Sequence, residues 1–114
     1  MDDVRVARIL IVEPHPDVRA LFAHVVRRAG HEPVLGREDA GVLVDAAVIE
    51  PGEADGLACA RRLRAGGCPV IFASIFPAEQ ETLELGPVAY FVKPFALAEL
   101  EQALETALAQ AQAA

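Results

Sequence analysis

Tryptophan is absent from this 114-residue chain, tyrosine occurs once and cysteine only twice. Cys59 and Cys68 are too few and too widely spaced for a CxxC redox motif, a zinc site or a disulfide framework, and read as two reduced, partly buried thiols. Long apolar runs are missing too. None nears the ~20 residues of a membrane span, and no charged segment leads into an apolar stretch with a cleavage site. A cytoplasmic protein with no membrane partner is expected. Positive charge is also scarce, at 10 Lys and Arg against 17 Asp and Glu, for a net charge of −7, and no basic residue follows Lys93. Such a chain repels phosphate backbones, which argues against direct nucleic-acid binding. The sharpest scarcity is lysine itself, since Lys93 is the only one and every other cation is arginine. Where arginine serves every other cationic position, a single lysine suggests a need for a compact ammonium on a flexible stem.

What is present is aliphatic. Hydrophobic residues make up 54% of the chain, mostly Ala, Val, Leu and Ile, as expected when helices cover both faces of an aliphatic sheet. The length suits one domain over residues 1–114, with residues 1–6 and 111–114 expected to fray.

Arg8-Ile9-Leu10-Ile11-Val12 is a continuous apolar run stopping at Glu13-Pro14, the pattern of a strand buried on both faces. Pro16-Asp17 then supplies helix-start chemistry, and Val18, Leu21, Phe22, Val25, Val26 and Ala29 recur at helical spacing before Gly30. His31 to Leu35 is at best an edge strand, because Pro33 lies inside it. Ala46 to Ile49 is a second buried run, again ending on an acid and a proline, Glu50-Pro51. A helix over 54–65 follows, then a strand from Val70 ending at Ser74, a strand from Val88 ending at Lys93, and a long helix from Ala96 marked by Leu97, Leu100, Leu104 and Leu108. Alternating strands and helices imply βαβ crossovers, hence a doubly wound parallel α/β sheet.

Four strands thus end at Glu13, Glu50, Ser74 and Lys93, and the crevice beyond the carboxyl ends of such a sheet is where ligands bind. Two carboxylates, a hydroxyl and an amine suit the handling of a phosphoryl group, the acids holding a hard cation and the others meeting phosphoryl oxygens. Taken singly, each residue has an ordinary structural explanation. Glu13 and Lys93 can be an ion pair capping a sheet, Ser74 a strand-end hydroxyl bonded to backbone, and Tyr90 an aromatic half-buried against the last helix. His15 beside Glu13 could suggest a transition-metal site but reads as a lone exposed loop histidine, and His24 and His31 stand at no ligand spacing.

Order and spacing together resemble the receiver domains of two-component response regulators. Ile9 to Pro14 is similar to the first strand and acidic turn, Val48 to Gly56 to the phosphoacceptor strand and loop, and Val70 to Ser74 to the hydroxyl-bearing strand. Tyr90 to Phe95 is similar to the family's aromatic, lysine (Lys93) and proline-phenylalanine (Pro94-Phe95) signature. The resemblance implies a flavodoxin-like (βα)5 fold with strand order 2-1-3-4-5. It also implies a phosphorelay signalling module rather than an enzyme, and the sequence has no GxGxxG, P-loop or Ser-His pairing to suggest otherwise.

The departures are specific. Pro14 replaces the second acid of the usual pair, and Glu50 stands where the phosphoacceptor aspartate is expected. One methylene moves a nucleophilic oxygen by about an ångström, a misplacement that can cost roughly a hundredfold in rate. Gly36 to Val44 leaves little room for a second helix, which is expected to be shortened or missing, and the helix near Ala78 to Leu85 is expected to be trimmed. The resemblance therefore implies an atypical, phosphorylation-independent receiver, with Ser74 and Tyr90 as a switch pair and a protein partner: a histidine kinase, an output domain or another signalling protein. Two copies can also pair through the last strand and helix. Mg2+ held by Glu13, Glu50 and the Gly52 carbonyl is weakened by the loss at Pro14. A conventional phosphorylatable receiver and a small-ligand-binding pseudo-receiver stay open as alternatives.

Overall fold

A computed structural model describes residues 6–36, 43–52 and 55–113. Five parallel strands, β1 (Arg8–Val12), β2 (Glu32–Leu35), β3 (Ala46–Ile49), β4 (Val70–Ser74) and β5 (Ala89–Val92), form one sheet in the order β2-β1-β3-β4-β5. Four helices accompany them: α1 (Pro16–Arg28), α2 (Gly56–Ala65), the single turn α3 (Gln80–Leu83) and α4 (Leu97–Ala113). This is the doubly wound sheet and the strand order expected from the sequence.

Alternation along the strands sorts the core into two layers. Ile9, Ile11, Val48 and Ile71 face α1 and α4, meeting Phe22, Val26, Leu100 and Leu104. Leu10, Val12, Ile49 and Phe72 face the other way, onto Cys59, Ala60 and Leu63 of α2. β1, β3 and β4 are buried almost throughout, apart from exposed Arg8 at the start of β1, because both layers cover them. The helical stripe of α1 holds for Phe22, Val25 and Val26, but Leu21 is 48% exposed and lies off the buried face. Gly30 and Gly67, at φ 90° and 85°, end α1 and α2 in the left-handed conformation that glycine tolerates. The turns they make let the His31 N–H reach Val26 O at 3.0 Å and the Cys68 N–H reach Leu63 O at 2.9 Å.

Between β2 and β3 the expected position of a second helix falls largely on residues outside those described, and residues 43–45 are not helical. The trimmed helix before β5 is confirmed, at only four residues. The final helix runs on to Ala113, into the segment expected to fray. Among the described residues, no helix is long and apolar enough to cross a membrane.

Candidate functional site

The carboxyl ends of β1, β3, β4 and β5 are adjacent, which is why residues distant in sequence meet there. Glu13 and Glu50 follow β1 and β3, Ser74 closes β4, and Lys93 follows β5. The Lys93 ammonium crosses the end of β4 and donates to both acids, to Glu13 Oε1 at 2.7 Å and Glu50 Oε1 at 3.2 Å. A long, unbranched stem with a compact head suits this span, consistent with the use of the chain's one lysine here. The Lys93–Pro94 peptide is cis.

The remaining carboxylate oxygens are taken by the main chain. Glu13 Oε2 accepts from the His15 N–H at 3.1 Å, and Glu50 Oε2 accepts from the Gly52 N–H at 3.0 Å. A Cβ on Gly52 would stand 3.2 Å from Glu50 Oε2, so glycine permits this close approach. Arg19 donates to the Glu13 main-chain oxygen at 3.2 Å, tying α1 to the same turn. The side chains of Glu13, Glu50 and Lys93 are 1%, 10% and 13% exposed. Two buried carboxylates thus share one buried ammonium, leaving one surplus negative charge with every carboxylate oxygen hydrogen-bonded.

Ser74 and Tyr90 form a second cluster. The buried Ser74 hydroxyl accepts from the Phe76 N–H at 3.2 Å, and the Tyr90 hydroxyl donates to the Phe76 carbonyl at 2.9 Å. The two expected switch residues therefore clamp one peptide segment from opposite ends. Tyr90 is not packed against the last helix, as one sequence expectation had it. It lies in register with Phe72, and their rings pack at 5.9 Å in the layer covered by α2. Phe91, one residue on, takes the α4 side and stacks on Phe95 at 4.7 Å. The two clusters are joined at the backbone, where the Lys93 N–H donates to Ser74 O at 2.7 Å.

Gly52 enters the site here through its N–H, while its carbonyl is the group that the sequence offered as a metal ligand. Sequence reasoning gave no part to Arg19 or Phe76 and none to the backbone of His15, since main-chain donors leave no mark on residue type. Two carboxylates are the hard oxygen donors that Mg2+ takes. Here all four oxygens are engaged, and an ammonium bridges the acids where a cation would. No group of three or more metal-ligating side chains occurs among the described residues.

No protein-family model and no curated protein matches the sequence. Solved structures do match its fold. A response regulator receiver domain protein (CheY-like) from Methanospirillum hungatei superposes with a TM-score of 0.82 at 15% identity, covering 96% of this chain and 98% of that one. A response regulator from Thermotoga maritima gives 0.78 at 15% identity, covering 92% and 99%. The receiver domain of the sensor histidine kinase PA1611 from Pseudomonas aeruginosa, solved with a magnesium ion coordinated in its active-site cleft, gives 0.75 at 22% identity, covering 92% and 99%. The chain therefore has the CheY-like, flavodoxin-type fold of response regulator receiver domains over nearly its whole length.

Proposed function

We propose that this domain is an atypical receiver, a protein-interaction module of two-component signalling whose state does not depend on phosphorylation. The observation that carries this is the Lys93 ammonium seated between Glu13 and Glu50, with the outer oxygen of Glu50 held by Gly52. A receiver of the usual kind offers an aspartate for phosphoryl transfer and a lysine to meet the phosphoryl oxygens. Here the longer Glu50 carries its own permanent charge to that lysine. The fixed carboxylate stands in for the transferred group, and Ser74 and Tyr90 hold the loop at Phe76 in one position. The pocket supports signalling by contact rather than catalysis. The partner is a histidine kinase, an output domain or another signalling protein. Pairing of two copies through β5 and α4 belongs to the same proposal. Exposed Val92 and Leu97 favour it, and Glu99 and Glu105 on the exposed face of α4 oppose it.

Intact-mass spectrometry of wild type and Glu50→Asp after incubation with Mg2+ and acetyl phosphate tests this. The expected result is a phosphoryl adduct on Glu50→Asp alone, the shorter acid leaving room for the incoming group. An adduct on wild type overturns the proposal in favour of ordinary phosphorelay.

A further inference from the structure

Beside the ion triad, a hollow of about 420 Å³ opens between the loops that follow β3 and β4. Pro51, Leu57, Phe76 and Pro77 give it apolar walls, and Glu79 and Glu81 contribute its charge. Its volume is in the range of true binding pockets. It opens beside α3, which is only one turn long. Ile75 and Phe76 are each 63% exposed and Leu83 is 54% exposed, so three large apolar side chains stand in water within nine residues. Scattered single residues of this kind are ordinary, but a run of them beside a hollow marks a contact surface.

Charge decides what fits. Among the described residues, no lysine or arginine lines the hollow. Arg61 reaches Glu81 at 3.2 Å, with both side chains more than half exposed, so that contact is readily exchanged. From residue 65 to the end, the chain has six acids (Glu79, Glu81, Glu84, Glu99, Glu101 and Glu105) and one cation, Lys93, which is consumed in the triad. An anionic ligand finds no holder there.

We infer that this hollow docks a segment of a partner protein that presents an arginine or lysine next to an apolar side chain, the cation meeting Glu79 and Glu81 and the apolar group entering between Leu57 and Phe76. The Phe76 backbone is held at both ends, by Ser74 and Tyr90, so its ring is offered on a fixed loop and little ordering remains to be done on binding. The far wall, Pro51-Gly52, includes the N–H that orients Glu50, which places the docked segment in contact with the triad's support. This inference deepens the interaction-module proposal and rests on it.

The test is titration of the 15N-labelled protein with acetyl-Arg-Leu-Leu-Arg-amide, alongside acetyl-Glu-Leu-Leu-Glu-amide and acetyl-Arg-Gly-Gly-Arg-amide. Saturable shifts at Leu57, Phe76, Thr82 and Tyr90 with the first peptide, and much weaker effects with the other two, are expected. The Glu81→Gln variant, altered at an exposed side chain and leaving the Glu79–Thr82 capping box of α3 in place, should bind roughly threefold more weakly, and Phe76→Ala roughly tenfold. Equal binding of the acidic peptide, shifts confined to β5 and α4, no saturable shift with any peptide, or a mass that rises with protein concentration would each overturn the inference, the last in favour of a second copy as occupant. None of these outcomes decides the phosphoryl-adduct experiment, so the two proposals fail separately.

Discussion

Two sets of ion pairs in this molecule have similar geometry and different consequences. At the crevice, Lys93 lies 2.7 and 3.2 Å from Glu13 and Glu50. On the surface, Arg8 lies 3.3 Å from Glu32 and Arg61 lies 3.2 Å from Glu81. The distances hardly differ, but the surface side chains are 46% to 58% exposed and those of the crevice 1% to 13%. Water screens the surface pairs, and each is worth about 0–1 kcal/mol. In the crevice the charges have lost their water, and each depends on its partners to replace it. Distance alone says little about an ion pair, and burial decides whether removing one partner is felt.

The largest expected effect comes from removing the shared ammonium. Lys93→Met leaves Glu13 and Glu50 buried, alike in charge and uncompensated, and should destabilise the fold by about 3–5 kcal/mol in urea unfolding. Mg2+ should partly restore the variant's unfolding midpoint and move that of wild type much less, since only the variant offers two unbridged carboxylates to a hard cation. A loss below about 1 kcal/mol would put the triad in the class of the surface pairs and erase the contrast.

Shortening an acid is the next step down. In Glu50→Asp the charge stays but the oxygens retreat by one methylene, so the contacts to Lys93 and the Gly52 N–H weaken together. A loss of about 1.5–3 kcal/mol is expected, the usual worth of a hydrogen bond to a charged group, again by urea unfolding. The same variant is the one expected to gain a phosphoryl adduct, so stability and reactivity should move in opposite directions.

Much of this site was legible because its residues sit at strand ends, and strand ends can be read from apolar runs that stop at an acid, a hydroxyl or a proline. The lone lysine was legible by contrast with nine arginines, which supply every other cationic Lys or Arg position. Three things were not. The main-chain donors that fill the outer oxygens of Glu13 and Glu50 depend on turn geometry, which many residue pairs satisfy. The side taken by Tyr90 depends on register, and moving one residue along a strand exchanges the α4 face for the α2 face. The hollow beside α3 depends on how loops pack after the helix is trimmed, which no period in the sequence encodes.

Tyr90→Phe probes a contact between the two extremes. Its hydroxyl donates to Phe76 O at 2.9 Å at a site open to water, so water can replace it. The expected loss is about 0.5–1.5 kcal/mol, the net worth of an ordinary neutral hydrogen bond. The more telling readout is local: amide hydrogen exchange should quicken around Ile75 and Phe76 and stay unchanged at Glu13 and Glu50, because the triad does not lean on this hydroxyl.

The smallest effect belongs to Arg61→Ala. Arg61 and Glu81 connect α2 to α3 across water, with side chains 54% and 57% exposed. Removing the guanidinium strands no buried charge, because Glu81 is solvated with or without its partner. The expected change in unfolding free energy is about 0–1 kcal/mol, and 1 M salt should remove what remains of it, since the screening length there falls to about 3 Å. Lys93→Met should keep nearly its full penalty in the same salt, because ions cannot follow the charges into the crevice. If salt instead reduced both effects alike, the triad would be as wet as the surface pair, and the locked pocket on which the proposed function rests would be lost.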